Sequence, residues 1–315
     1  MATSKVITEK ELNIGLLTSG DVTWINIESP TEREIGYLAQ NYPFHPLDLD
    51  DCLSRMQRPK IDEYKDYLFL VFHFPVYNKE ARVTTTSQLS VFIGGKYLIT
   101  LHRGELKPLV KLFRECEIDE ESRQEYLGQG SSFLLYRVID RLVDYCFPIL
   151  NKMSDNIEAV EDDIFSDRKS NTVKEISFIR RDIIAFRRII WPMRAVIGSM
   201  ERKLRRFVRQ DMEVYFGDIT DHADKIWDAL DEYKEIIEGL SDTHDSLATN
   251  RTNEVVRMLT IIATILLPIT VVASIYGMNI PLPFQDSNFS LGFVFLIMLV
   301  VISSMLLFFR RQHWI

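Results

Sequence analysis

Hydrophobic and polar positions follow two different rhythms along the chain. Up to about residue 127, apolar residues fall in short alternating or β-branched runs: Thr23–Ile27 (TWINI), Tyr67–Val76 (YLFLVFHFPV) and Ser87–Ile93 (SQLSVFI). The last turns through Gly94-Gly95 into Lys96–Leu101 (KYLITL). Such runs predict strands, and the spacing over Thr31–Gln40 and Lys107–Cys116 predicts helices between them. From about Ser131 the strand signals stop, and repeats of three and four predict long helices over 131–166, 172–206 and about 220–276. Neither proline nor a run of turn residues interrupts His222 to Thr264, so a helix over 220–276 would reach ~85 Å at 1.5 Å per residue. The alternative is a break near Thr249–Thr252, with a stalk and a separate final segment.

Met258–Tyr276 and Leu291–Phe309 carry no charge, and each is 19 residues long. A helix crosses the hydrocarbon core of a bilayer with roughly 20 apolar residues, whereas buried core helices are usually shorter. Both runs are therefore expected to span a membrane. Arg251 and Arg257 precede the first run, Arg310 and Arg311 follow the second, and the loop between them has Asp286 as its single charge. Basic residues stay on the cytoplasmic side, which places both termini there and the loop outside. The opening segment MATSKVITEKELN has no apolar core of the secretory type, so residues 1 to ~250 are expected to remain cytoplasmic.

The fold expected is α+β: a cytosolic α/β domain over 1–127, a long antiparallel helical bundle with its stalk over 128–254, and a membrane domain over 255–315. The last divides into a first span at about 256–276, an outer loop at 277–290 and a second span at about 291–309.

Composition fits a mostly soluble chain with a small membrane part: mean hydropathy is near zero and 26% of residues are charged. A net charge of −8 argues against nucleic acid as a partner. Cys52, Cys116 and Cys146 lie far apart, which suggests neither a disulfide framework nor a zinc knuckle. The six histidines form no paired ligand spacing, and there is no phosphate-binding GxxxxGK[ST] loop. No nucleophile–base constellation is found, so an enzyme is not expected. Asp155, Glu158, Glu161, Asp162 and Asp163 form an acidic stretch that an Arg-rich segment, Arg180–Arg209, would meet in interhelical salt bridges.

The first span has two sides. Asn253, Val256, Thr260, Ala263, Leu267, Thr270, Ser274 and Gly277 form a small, polar stripe, while bulky aliphatics dominate elsewhere. Small and hydroxylated residues in a span mark either helix packing or a water-filled path. One helix cannot enclose a pore, so a path would need several copies around an axis. Pro268 removes a backbone donor to the Thr264 carbonyl, and a mild kink is expected there.

Tyr276-Gly277-Met278-Asn279, at the outer end of the penultimate helix and before one last span, resembles the signature of the CorA family of magnesium (divalent cation) transport proteins. The run LTIIATILLPITVVASIYGMN (259–279), RPKIDEYKDYLF (58–69) and the basic ending RRQHWI are similar to that family too, and the likeness covers essentially the whole chain. It implies a homopentameric funnel in the lipid bilayer, with an inner ring of first helices and an outer ring of second helices. Gly277, Met278 and Asn279 would form the selectivity filter. The stripe from Asn253 to Ser274 would line the pore, with Val256 and Leu267 as hydrophobic constrictions able to gate by drying.

The implied chemistry is coherent. Mg2+ gives up its water reluctantly and prefers six oxygens, so a ring of Asn279 amides can best hold the hydrated ion through neutral acceptors. Asn279 read alone would be a helix cap. The resemblance also implies closure by cytosolic Mg2+ bound between subunits, which points to Asp218, Asp242 and Asp245 as regulatory ligands. The sequence departs from the family at the loop Ile280–Asp286, which lacks the usual Glu. Asp286 could stand in at the outer mouth, and Co2+, Ni2+ or Zn2+ remain alternative cargo. A second reading is a membrane-tethered sensor or scaffold whose stripe only packs.

Overall fold

The structure is a computed structural model that describes residues 12–54, 57–78, 80, 82–166, 172–207, 212–278 and 290–314. The chain divides into two compact units, 1–240 and 241–315.

The first unit holds a mixed sheet in the order β1-β2-β6-β5-β4-β3. Its strands are β1 (Ile14–Ser19), β2 (Val22–Glu28), β3 (Lys60–Glu63), β4 (Tyr67–Asn78), β5 (Val83–Gly94) and β6 (Tyr97–His102). All neighbours are antiparallel except β2 and β6, which run parallel with Ile25 opposite Ile99. The expected strands are present. Two were missed: β1, and β3, whose KIDE sequence has no apolar alternation because it is a half-exposed edge strand.

Alternation along β2 feeds two layers. Ile25 and Ile27 join Phe69, Phe92 and Ile99 in a core covered by α1 (Glu32–Asn41) and α2 (Pro46–Leu53). Helix α1 starts with a capping box, Thr31 and Glu34 each satisfying the other's backbone N–H. Helix α2 went unread because its cap is unusual: His45 Nδ1 accepts from the Leu47 N–H at 3.3 Å, ahead of Pro46. The opposite face of β2 presents Trp24, which packs edge-on against Phe113 of α3 (Lys107–Ile118), and Asn26. A short α4 (Glu120–Leu127) follows α3.

The stretch expected as one helix over 131–166 is two, α5 (Ser131–Asp144) and α6 (Cys146–Phe165). Pro148 explains the division, since it has no N–H to donate to the Asp144 carbonyl one turn back. Helix α7 (Thr172–Leu204) continues through Pro192 and ends in a 3-10 turn, Arg205–Phe207.

Helix α8 runs unbroken from Glu213 to Tyr276, 64 residues, with no interruption at Thr249–Thr252. Its buried positions Phe216, Ile219, Ala223, Ile226, Leu230 and Ile237 keep a heptad rhythm. The same rhythm runs along α7 through Ile176, Ile179, Ile183, Phe186, Ile190, Met193 and Ile197, which is the pattern of antiparallel helices packed along a seam.

Charges flank that seam. Arg180 meets Glu238 at 3.9 Å, Arg187 meets Asp231, and Arg194 meets Asp224 at 2.6 Å. Each step is seven residues on both helices, in opposite directions. For these three arginines this corrects the expected partner. The ion pairs of these three arginines go to α8, while Asp155, Glu158, Glu161 and Asp162 on α6 are exposed. Acids on α8 occur at the same two-turn spacing as the arginines, and that match determines the pairing.

In the second unit, the C-terminal part of α8 and α9 (Ser290–Arg311) are both long and apolar enough to cross a membrane.

Candidate functional site

The polar stripe and the seam between the two apolar helices are different faces. On α8 the partly covered positions are Ile261, Thr264, Ile265, Pro268, Ile269, Val272 and Tyr276. On α9 they are Val294, Ile297, Met298, Val301, Ile302 and Met305, ending at buried Phe309. Both sets step by three and four, as two packed helices do. Asn253, Val256, Thr260, Ala263, Leu267, Thr270, Ser274 and Gly277 are all exposed. Packing of α9 within the chain therefore does not account for the stripe.

The hydroxyls on that face are turned inward on their own helix. Thr260 Oγ1 donates to the Val256 carbonyl at 2.8 Å, and Thr270 Oγ1 donates to the Leu266 carbonyl at 2.8 Å. With its proton committed, each oxygen offers only lone pairs to whatever lies outside. A hydrated cation presents water protons outward, so such oxygens are matched to its shell rather than to the bare ion. Leu267, Thr270, Ser274 and Met278 line a shallow groove of about 460 Å³ on this face.

At the helix end the Gly277 N–H reaches the Ala273 carbonyl at 3.0 Å, and the Met278 N–H reaches Ile275 at 3.2 Å. Glycine is favoured at 277 by proximity rather than by a left-handed turn, since a Cβ there would lie 3.2 Å from the Ala273 oxygen. Asn279 and Asp286 lie outside the described residues.

The acidic candidates fall in both units. Asp242 and Asp245 are exposed, and Asp245 Oδ1 lies 3.6 Å from His244 Nδ1. Asp218 lies in the first unit beside His222, its Oδ1 3.8 Å from Nε2. The other ring nitrogen, Nδ1, is 3.7 Å from Asp144 Oδ1. Asp140, Asp144 and His222 offer ligand atoms all within 4.8 Å of one another. His222 Nδ1 is buried without a hydrogen-bond partner. Burial pushes the Asp140 carboxyl above its usual range, and the neighbouring Asp144 and Asp218 charges add to that, against the opposing pull of Arg137 and His222.

Two carboxylates and an imidazole fit a divalent cation with an affinity for nitrogen, such as Co2+, Ni2+ or Zn2+, better than an all-oxygen Mg2+ site. Sequence reasoning found Asp218 but missed Asp140, Asp144 and His222. The available signal was a double i,i+4 pair, Asp140/Asp144 on α5 and Asp218/His222 on α8, which stands out only once the two helices are known to adjoin.

A sheet-and-helix unit and two apolar helices long enough to cross a membrane, one with a stripe of acceptors, define a class, and the comparisons place the chain in it. The chain belongs to the CorA-like Mg2+ transporter protein family, whose pattern matches residues 19–311. It is 30% identical, over 98% of its length and 88% of the relative's, to the cobalt/magnesium transport protein CorA of Thermotoga maritima. A more distant relative is the zinc transport protein ZntB of Yersinia pseudotuberculosis, 21% identical over 93% of this chain and 88% of that one. The fold matches the complete structure of the CorA magnesium transporter from Methanocaldococcus jannaschii, with a TM-score of 0.82, 23% identity, and 95% and 93% of the two chains covered.

Proposed function

We propose that the chain is a subunit of a homopentameric channel that admits hydrated Mg2+ down the membrane potential, with the first span lining the path. The observation that carries this reading is the exposed stripe of α8, where Thr260 and Thr270 present acceptor lone pairs on a face that α9 leaves open. Several copies facing one axis would turn that stripe into a continuous wall. A dication entering across ~100 mV, inside negative, gains ~4.6 kcal/mol, enough to drive uptake without a nucleotide-hydrolysing motif.

Within this reading Gly277, Met278 and Asn279 form the filter at the outer end, and Asn253, Val256, Thr260, Ala263, Leu267, Thr270 and Ser274 line the path. Asp286 serves the outer mouth. The chain crosses the membrane twice, at about 256–276 and 291–309, with both termini cytoplasmic. Residues 1–127 and 128–254 form the cytosolic part, and 255–315 the membrane part. Cytosolic divalent cation closes the gate through Asp218, assisted by Asp140, Asp144 and His222, and through Asp242 and Asp245.

The nitrogen in the Asp140–Asp144–His222 group favours a second reading, in which Co2+, Ni2+ or Zn2+ is regulator or cargo. Flux measured in liposomes with Mg2+, Co2+ and Zn2+ under an imposed potential separates the two. Asn279→Ala is expected to abolish Mg2+ flux. Unaltered flux in that variant, or purified particles without five-fold symmetry, would leave only a membrane-anchored sensor or scaffold.

A further inference from the structure

A cavity of about 960 Å³ opens in the first unit between the sheet and helices α7 and α8, away from the metal group and the stripe. Its lining inverts the charge of the chain. Four cations, Arg58, Arg187, Arg188 and Lys234, contribute to it and, among the described residues, no carboxylate does, although the whole chain carries a net −8. Arg187 is held by Asp231, and Lys234 lies 3.4 Å from Glu238. Arg58 and Arg188 are exposed and make no ion pair among the described residues.

The same wall carries two indoles. Trp191 is 62% exposed, with its ring centroid 5.0 Å from that of Trp227. Arg187 lies over the Trp227 ring at 4.4 Å, so Trp191 is the indole left with an open face. His73 and Thr84, both nearly buried, complete the lining. The His73 ring lies against the Gln57 backbone, and the Thr84 hydroxyl against the buried Asp182 carboxylate.

We propose that this cavity binds a nucleotide, its base stacked on Trp191 and its phosphates held by Arg58 and Arg188. Guanidinium forks match phosphate oxygens two at a time, and an open aromatic face stacks any base. A simple phosphate would make no use of the indoles, and a neutral aromatic would make no use of the arginines. The volume lies in the range of ~300–1,000 Å³ usual for small-molecule sites.

The test needs no transport. Full-length protein in detergent, stripped with EDTA, is titrated calorimetrically with ATP, GTP, inorganic triphosphate and adenosine. ATP and GTP are expected to bind comparably, and triphosphate and adenosine at least about tenfold more weakly. The exposed-site variants Arg58→Ala and Arg188→Ala, and Trp191→Ala, are each expected to weaken ATP binding roughly tenfold with an unchanged circular dichroism spectrum. Should Trp191→Ala fail to fold, Arg188→Glu gives the same readout from the surface. No ATP binding up to ~1 mM overturns the proposal, including the case in which a neighbouring copy fills the cavity. Triphosphate binding as tightly as ATP, or variants binding as the parent does, overturns it equally. Because binding alone is read, its failure leaves the transport reading untouched.

Discussion

Thr270 Oγ1 donates to the Leu266 carbonyl at 2.8 Å, so the lone pairs of this hydroxyl are what the exposed face of α8 offers. Replacing Thr270 or Thr260 by Val keeps the shape and removes the acceptor. Each change is expected to lower Mg2+ flux in liposomes several-fold, by about 1 kcal/mol per lost water-shell contact. Thr→Ser at either position is expected to retain most of it. Equal flux for Val and Ser would mean that these oxygens do not meet the ion.

The Asp140–Asp144–His222 group predicts a metal-dependent stability. A cation present at 100 times its dissociation constant stabilises the folded state by about 2.7 kcal/mol. Adding Co2+ to EDTA-treated protein should raise the melting temperature, and Asp144→Asn or His222→Ala should require about tenfold more metal or greater for the same shift. Identical curves for parent and variants would remove the group from the regulatory machinery.

His102 gives a pH prediction. It is buried, and burial alone lowers its pKa to about 4. As a neutral ring it donates from Nε2 to Asn26 Oδ1 at 3.1 Å and accepts the Gly104 N–H on Nδ1 at 3.0 Å. The unfolded chain takes up the proton near pH 6.5, the folded one only near pH 4. The stability that depends on the neutral ring is therefore fully present above ~6.5 and lost by about 3 kcal/mol as pH falls toward 4. Asp48 and Asp182 are raised by burial and act with the opposite sign. Urea unfolding at pH 7.5 and pH 5 should therefore be compared between the parent and His102→Gln. A variant with the same pH slope as the parent would show that His102 is not the source.

The packing of α8 in the first unit, where Phe216 meets Tyr136 of α5, rests on apolar burial more than on its ion pairs with α7. Phe216 is fully buried, and Phe216→Ala is expected to cost about 3–5 kcal/mol by the cavity it leaves. Arg194 and Asp224 are half-exposed, and a double-mutant cycle on them should give no more than about 1 kcal/mol. The ranking, read by urea unfolding, fails if the ion pair proves the larger of the two.

What the sequence disclosed and what it hid follow from how local each signal is. Strands such as the YLFLVFHFPV run announce themselves as near-continuous apolar stretches because both their faces are buried. KIDE does not, because an edge strand needs little apolar surface. The apolar runs and the acceptor stripe were legible residue by residue, since the helical period alone assigns faces. The partners of Arg180, Arg187 and Arg194, and the meeting of Asp144 with His222, depend on which helix lies beside which, and no periodicity within one segment carries that. Pro148 is as local a signal as any, and one missing donor within 131–166 is enough to divide the helix.

The three rungs between α7 and α8 have one further implication. Because Arg180, Arg187 and Arg194 and their acids recur at equal intervals, the two helices mesh like a comb with its mirror image. Sliding one past the other by a single turn parts every rung together, and only a shift of two full turns lets the teeth engage again. Any movement transmitted through this pair must therefore tilt or roll the helices as a unit, because small longitudinal creep is resisted at all three places simultaneously.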